Sequence, residues 1–216
     1  MSANKSRELR LVRDEPSRSE PSSDLVEEQL ISALERGEPV GAGLLYDHLI
    51  AAIEGTLFRV MGTRGPDHDD LVQNTFEQIM VSLRKKRFAR ACSLRSWAAA
   101  IATHMALNGI RSRRTEGKYF DRETSLDDQL GREGPHDPER DTQLQRDVSI
   151  MRALLAELPV EQARALLLHD ALGYELSEIS VLTNASVAAA QSRLARGRRK
   201  LREKLIERGV RVQERT

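Results

Sequence analysis

Between Arg193 and Arg202 the chain reads RLARGRRKLR, six Lys and Arg with no acid among them. Gln191 and Ser192 stand directly before this run. Guanidinium and ammonium groups at that density neutralise phosphates, and Gln, Ser and Arg on successive helical turns can hydrogen-bond to base edges. A second basic set comprises Arg84, Lys85, Lys86, Arg87, Arg90 and Arg95, followed by Arg111, Arg113 and Arg114. Phe88 is the aromatic residue inside it. Other chemistry is poorly supplied. His48, His68, His104, His136 and His169 have no Cys or second His at ligand spacing, so no metal site is expected. Cys92 lies in a basic loop that would favour its thiolate, yet a single thiol reads as a bystander before it reads as a redox sensor. The paired acids Asp69-Asp70 and Asp127-Asp128 suit helix capping and linker charge better than acid-base catalysis. With no phosphate-binding glycine loop and no nucleophile motif, neither an enzyme nor a cofactor is expected.

The elements that must position these groups are helical. The chain has 216 residues with 39% hydrophobic and 4% aromatic content, and its apolar residues are mainly Leu, Ala, Val and Ile. That composition favours helix over sheet and predicts an all-α protein of two small domains. Net charge is only +1, but its distribution is segregated. Residues 25 to 80 hold ten acids against three arginines, and 84 to 118 hold ten bases against Glu116 alone. Residues 119 to 147 return to nine acids and four arginines before the basic run at 193 to 202. Two basic blocks separated by acidic ones suggest two separate anionic contacts. The single cysteine fits a reducing compartment. No run approaches the roughly 20 apolar residues of a membrane span, and the first residues lack an export signal, so a cytoplasmic protein is expected.

Along the chain, residues 1 to 24 read as a disordered tail. A first helix is expected from an Asp24 cap to Gly37, with Leu25, Val26, Leu30, Ile31 and Leu34 on its inner side. A second should run from about Leu44 to Met61 and a third from near Asp67, its apolar stripe Leu71, Val72, Thr75, Phe76, Ile79, Met80 and Leu83. The opposite face of the third presents Asp69, Asp70, Gln73, Asn74 and Glu77. A fourth helix, from about Leu94 to Arg113, should turn Trp97, Ile101 and Met105 inward. Residues 117 to 141 are rich in Gly, Pro and acids and predict a flexible linker, longer than most connections within a domain. Beyond it, helices near 142 to 157, 160 to 171, 175 to 182 and 186 to 207 are expected, with a tail over 208 to 216. Only Thr183, Asn184 and Ala185 separate the last two, which is helix-turn-helix spacing. Ser186 suits the N-cap, and Asn184 tolerates the left-handed turn conformation.

Two blocks of this sequence resemble the extracytoplasmic-function sigma factors of bacterial RNA polymerase. DDLVQNTFEQI (69 to 79) and LRSWAAAIATHMALNGIRSRR (94 to 114) resemble the family's Asp-Leu-Val-Gln helix and its Trp-containing helix with an Arg-rich end. LLAELPVEQARALLLHDALGYELSEISVLTNASVAAAQSRLARGRRKL (154 to 201) resembles its Leu-Pro, Glu-Ile and Ser-Arg-Leu-x-Arg-x-Arg signature. The resemblance covers residues 25 to 207 and implies a region 2-like domain at 25 to 116 and a region 4-like domain at 142 to 207.

It also implies a division of labour. Asp69, Asp70, Gln73, Asn74 and Glu77 would dock on the β′ coiled coil of core polymerase. Arg84, Lys85, Lys86, Arg87, Phe88, Arg90, Arg95, His104, Asn108, Arg111, Arg113 and Arg114 would contact the −10 element and assist its melting. Ser186, Ala189, Gln191, Ser192, Arg193 and Arg196 would meet the −35 element in the major groove, with Arg198, Arg199 and Lys200 on phosphate or on the β flap. Family members are commonly held by an anti-sigma factor, which adds a third candidate partner. Several positions depart from the pattern. His104 replaces an Asn, Asn108 an Asp, Ser180 an alanine and Asn184 a glycine, while Ala188, Ala189 and Ala190 replace Gly-Thr-Val. The first two changes bear on which −10 bases are read, and the alanines predict weaker or altered −35 recognition. Two other readings are a stand-alone helix-turn-helix regulator and a sigma-like adaptor without full promoter recognition.

Overall fold

A computed structural model describes residues 21 to 115 and 138 to 210, and over these the chain is helical with no strand. The elements are α1 (Pro21–Glu35), α2 (Pro39–Met61), α3 (His68–Arg84), α4 (Leu94–Thr115), α5 (Pro138–Glu157), α6 (Val160–Leu166), α7 (Leu176–Leu182) and α8 (Val187–Glu207). α6 continues into a π-helical turn, Leu167–Ala171. The tail over 1 to 20, most of the expected linker and the last six residues lie outside the described residues. Helices α1, α2 and α5 begin several residues earlier than expected, each at a proline. Proline is pre-shaped for the first helical turn, where its missing N–H costs nothing, so Asp24 lies within α1 and is not its cap.

The first four helices pack around α2, whose Leu45, Leu49, Ile53 and Leu57 recur every fourth residue and are fully buried. α2 packs most extensively on α4. The face α4 turns to this core is Leu94, Ala98, Ala102, Ala106, Leu107 and Ile110, not the expected Trp97, Ile101 and Met105. Alanines there let the helices approach closely, and Trp97 and Ile101 pack at the rim of the cluster, partly buried. α1 is also corrected: Leu30 and Ile31 are buried, but Leu25 and Val26 are exposed. The α3 stripe is as expected, with Val72, Thr75, Ile79 and Leu83 buried and Leu71, Phe76 and Met80 packed beside them.

Helix ends follow local chemistry. Gly62 terminates α2 at φ 72°, its N–H donating to the Phe58 carbonyl. The Ser93 hydroxyl accepts from the Ser96 amide at 3.1 Å and caps α4. The buried Glu27 carboxylate, brought in by α1, accepts from the Leu94 amide at 2.8 Å. A carboxylate at a helix N-terminus satisfies an orphan donor and complements the dipole, which ties α1 to the start of α4.

In the C-terminal half, α6, α7 and α8 form the helix-turn-helix. Asn184 has φ 48°, the left-handed conformation its turn demands. The Ser186 hydroxyl accepts from the Ala189 amide at 3.1 Å, capping α8 as expected. Ala190, Leu194 and Gly197 are the buried face of α8. A Cβ at Gly197 would stand 3.0 Å from the Gln162 carbonyl oxygen, so only glycine allows α8 to lie this close to α6.

The halves also pack on each other. Leu155, Leu158, Ala163, Ala165, Leu166, Leu167 and Leu194 share one apolar cluster with the core of the first four helices. A second cluster joins Ala100 of α4 to Leu168, Ile179, Leu182 and Ala190.

Candidate nucleic-acid interface

Three surfaces carry the residues singled out from the sequence. On α3, Asp69, Asp70, Gln73, Asn74 and Glu77 are all exposed, and the structure brings them to one face. Gln73 Nε2 donates to Glu77 Oε1 at 3.1 Å along that face. The acids at its N-terminal end complement the helix dipole.

The loop from Lys85 to Ser93 and the length of α4 form the second surface. Arg84, Lys85, Lys86, Arg87, Arg90 and Arg95 are exposed. Lys86 and Arg90 hold positive φ, 52° and 55°, a tight path for two basic residues. Arg90 Nη1 reaches Glu28 Oε1 of α1 at 3.2 Å. Phe88 is partly buried, with its ring centroid 5.0 Å from that of Trp97 and the planes 45° apart. Its ring is therefore already packed on one side. Cys92 does not have the activated thiolate that the basic loop suggested. Burial first, then the Glu27 and Glu178 carboxylates, raise its thiol above the ordinary value.

Along α4, Trp97, Ala100, His104, Asn108 and Arg111 follow one another at steps of three or four, which places them on one side. Asn108 Nδ2 and His104 Nε2 lie 3.2 Å apart. Burial foremost, and next the Arg164 guanidinium of α6, hold His104 below the usual imidazole range. The Arg111 guanidinium donates to the Leu158 carbonyl. Arg113 Nη2 lies 3.4 Å from Asp67 Oδ2, and Arg114 Nη2 is 3.2 Å from Glu157 Oε1. Glu157 also accepts from Lys204 of α8 and from Arg208, the residue that caps its end. The Lys204 hydrogen bond above all, opposed by partial burial and helped by the Arg114, Arg208 and Lys204 charges, holds the Glu157 carboxyl below the usual range. Around this carboxylate lies an open cleft of about 760 Å³, with Arg111, Arg114 and Lys200 on its walls.

The third surface is the outer side of α8. Val187, Ala188, Gln191, Ala195, Arg196, Arg198 and Arg199 are exposed, while Ser192, Arg193 and Lys200 are partly covered. Arg193 Nη1 lies 3.2 Å from Glu161 Oε2, and Arg196 Nη2 donates to Ser192 Oγ at 2.7 Å. Arg198 grips Asp170 with two donors, its Nε at 3.0 Å from Oδ2. Partial burial works against ionisation of Asp170, but hydrogen bonds from Arg198 and His169 hold its carboxyl below the ordinary value. Arg198 thus fastens α8 to the π-helical turn that follows α6. Val187, which the sequence reading does not single out, shares the outer face with Ala188 and Gln191. An apolar group there can touch a thymine methyl, and the Ser186 cap is the signal for it, since it puts the next residue in the exposed first turn.

Two family profiles match the chain, one described as "Sigma-70 region 2" over residues 45–116 and one as "Sigma-70, region 4" over 149–201. The chain is 27% identical over 176 residues to the "Probable RNA polymerase sigma-C factor" of Mycobacterium bovis, covering 80% of this chain and 89% of that one. Identity and coverage are the same for the "ECF RNA polymerase sigma factor SigC" of Mycobacterium tuberculosis. Among solved structures, CnrH in complex with the cytosolic domain of CnrY aligns at 21% identity and a TM-score of 0.49, over 84% of this chain and 98% of that chain. Among the described residues no helix is long and apolar enough to cross a membrane.

Proposed function

The chain belongs to the extracytoplasmic-function class of sigma-70 factors, non-enzymatic subunits that direct RNA polymerase to promoters, and from that premise we propose how its surfaces divide the work. The α3 face from Asp69 to Glu77 docks on the β′ coiled coil of core polymerase. The 84 to 95 loop and the side of α4 bearing His104, Asn108, Arg111 and Arg114 engage the opened −10 strand. The outer face of α8 lies in the major groove at the −35 element. The boundaries follow the same division, with one module over 25 to 116 and the other over 142 to 207. Because the polymerase it serves works on chromosomal DNA, the site of action is the cytoplasm.

The observation that carries this reading is the α3 face. Five acidic and amide side chains are exposed together on the helix that the region 2 profile covers. The helix dipole accounts for Asp69 and Asp70 at the first turn, and the family match is what turns the face they share with Gln73, Asn74 and Glu77 into a docking surface. Opposite charge on the partner would complement it.

At the −35 surface, Gln191 and Arg196 are exposed five residues apart on α8, and Arg193 lies between them in an ion pair with Glu161. Base contact would draw Arg193 away from that carboxylate. Asn184 does the work of a turn glycine, and Ala190 fills a fully buried position, so these two departures keep the helix-turn-helix intact. The exposed Ala188 and the partly covered Ala189 are where recognition itself would differ.

The test is reconstitution of core polymerase with this chain on a randomised promoter library, scoring transcripts. Specific initiation is expected, and Asp70→Lys should lower core affinity by about tenfold or more, since it puts a like charge on the partner's surface. Core binding that survives Asp70→Lys unchanged would remove α3 from the docking surface. Core binding without any specific transcript would favour an adaptor.

A further inference from the structure

We infer that α1 positions the −10 surface, its adjacent carboxylates Glu27 and Glu28 fixing where the basic loop ends and where α4 begins. This rests on the assignment of the 84 to 95 loop to the −10 strand and goes beyond it, because α1 (Pro21–Glu35) lies outside residues 45–116, which the region 2 profile matches. Leu30 and Ile31 seat α1 in the core of the first four helices. Glu27 is turned inward with them and is only 6% exposed, whereas Glu28, about 100° further round the helix, stays in solvent. A carboxylate is costly to bury unless it is bonded. Glu27 Oε2 accepts from the Leu94 amide at 2.8 Å, and Oε1 faces His48 Nε2 of α2 at 3.6 Å. Leu94 is the first residue of α4 and is fully buried, so without Glu27 its N–H would be a buried donor with no acceptor. The amide of Ser96, by contrast, is served locally by the Ser93 hydroxyl. The first turn of α4 thus takes one of its two caps from a helix far away in sequence.

The loop has its own dependence on α1. Of its two left-handed residues, Lys86 has a local cause: its N–H donates to the Leu83 carbonyl and that of Arg87 to the Ser82 carbonyl, which closes the end of α3. Arg90, at φ 55°, has no helix end to account for it, and such a conformation persists where the surroundings hold it. Its guanidinium is held by Glu28, Nη1 to Oε1 at 3.2 Å. Between these ties α1 and the loop are not in close packing, since a cavity of about 390 Å³ separates Glu27, Glu28 and Ile31 from Phe88, Arg90 and Cys92. The two carboxylates therefore bridge a gap, and the path from Arg90 to Leu94 is pinned at both ends. Arg95, in the first turn of α4, takes its place from that path. Phosphate contacts tolerate small displacements of such groups, whereas base contacts do not. Loss of either tie should accordingly blur which −10 bases are preferred more than it weakens binding as a whole.

The experiment uses the full chain with core polymerase on a promoter library randomised over the −10 and −35 elements, and reads the ratio of transcripts from the best and worst base at each position. Glu27→Ala removes the acceptor for the Leu94 amide, while Glu27→Gln keeps an oxygen there. With Glu27→Ala, discrimination at −10 should fall by about tenfold, with −35 discrimination and core affinity unchanged within about twofold. Glu27→Gln should stay within about threefold of wild type at −10, because a neutral oxygen still accepts the amide proton. Three results overturn the inference: −10 discrimination that survives Glu27→Ala, an equal loss at −10 and −35, or a Gln variant no better than the Ala one. If circular dichroism shows Glu27→Ala to be unfolded, Glu28→Ala carries the test instead, since Glu28 is exposed and its loss leaves the core untouched. A loss of about threefold confined to −10 is then expected from a solvated ion pair, and no loss overturns the inference. The underlying assignment fails separately. A wild-type chain that discriminates at −10, beside variants that do so equally well, sinks the role of α1 alone, whereas a wild-type chain that discriminates at −35 and not at −10 sinks the assignment.

Discussion

Glu157 shows how one side chain can bind distant segments. Its carboxylate, 17% exposed, meets Arg114 of α4 and both Lys204 and Arg208 at the end of α8. Nothing in the sequence near Glu157 announces this, because its partners lie more than forty positions away in either direction. The Asp170–Arg198 grip and the Arg193–Glu161 pair were equally hidden, whereas the Ser186 cap and the Asn184 turn were legible because each is decided by neighbours within three residues. Replacing Glu157 with Gln should lower stability by about 1 kcal/mol near pH 7, a modest figure because its partners are partly solvated. The pH dependence follows from its depressed carboxyl. A group whose folded value lies below its unfolded value of about 4.3 stabilises above that pH and loses the contribution as pH falls through the folded value. Urea midpoints of wild type and Glu157→Gln should therefore converge below about pH 4, and a gap that stays constant would mean the charge is irrelevant. Arg193 invites a paired comparison. Glu161→Gln should release it and strengthen −35 duplex binding, while Arg193→Ala should cost about 1 kcal/mol or more, measured by titration at fixed salt. An Arg193→Ala chain that binds as tightly as wild type would remove Arg193 from the groove.

At the scale of the element, helices were readable where one face is apolar and the other polar, as in α3 and α8. They were misread where a helix is covered on more than one side. Ala98, Ala99 and Ala100 are consecutive and all buried, which no single-faced helix allows. That run is the sign in the sequence that α4 has neighbours on two sides, a faint one because alanine carries little weight in a hydrophobic stripe. Starts of helices were missed for a related reason: Pro21, Pro39 and Pro138 open helices, although a proline is more easily taken for a break. The packing of α8 on α6 gives a prediction with two opposed terms. Gly197→Ala gains roughly 1 kcal/mol of helix propensity. The new methyl, however, would stand 3.0 Å from both the Gln162 carbonyl oxygen and Leu166 Cδ1, and a helix backbone cannot step aside as a side chain can. The clash should win, with a net loss of about 1 kcal/mol in chemical denaturation and weaker duplex binding as α8 shifts. A stabilised Gly197→Ala would show that α6 and α8 can part at no cost.

For the whole molecule, the seam between the halves is the feature that helix-by-helix reading could not supply, because residues 116 to 137 interrupt the periodicity and each half looks self-sufficient. The halves nevertheless share buried apolar surface, with Leu155, Leu158 and Leu167 in the same cluster as Leu107 and Ile110. Such sharing stabilises both, but not equally with their internal packing. α2 against α4 and α6 against α8 make the most extensive contacts, and the seam contacts of α4 with α5 and α6 are fewer. Denaturant should therefore part the halves before it melts their helices. Trp97, the single tryptophan, is placed to see this, since it packs against both apolar clusters and against Phe88. In a urea titration its fluorescence should change at a lower midpoint than the helical signal, the first step being loss of the cluster around Ala100 and the second the melting of α2 and α4. Two probes that disagree mark an intermediate, and here it would be the open chain with both modules still folded. Superimposable curves would mean that the halves unfold as one cooperative body.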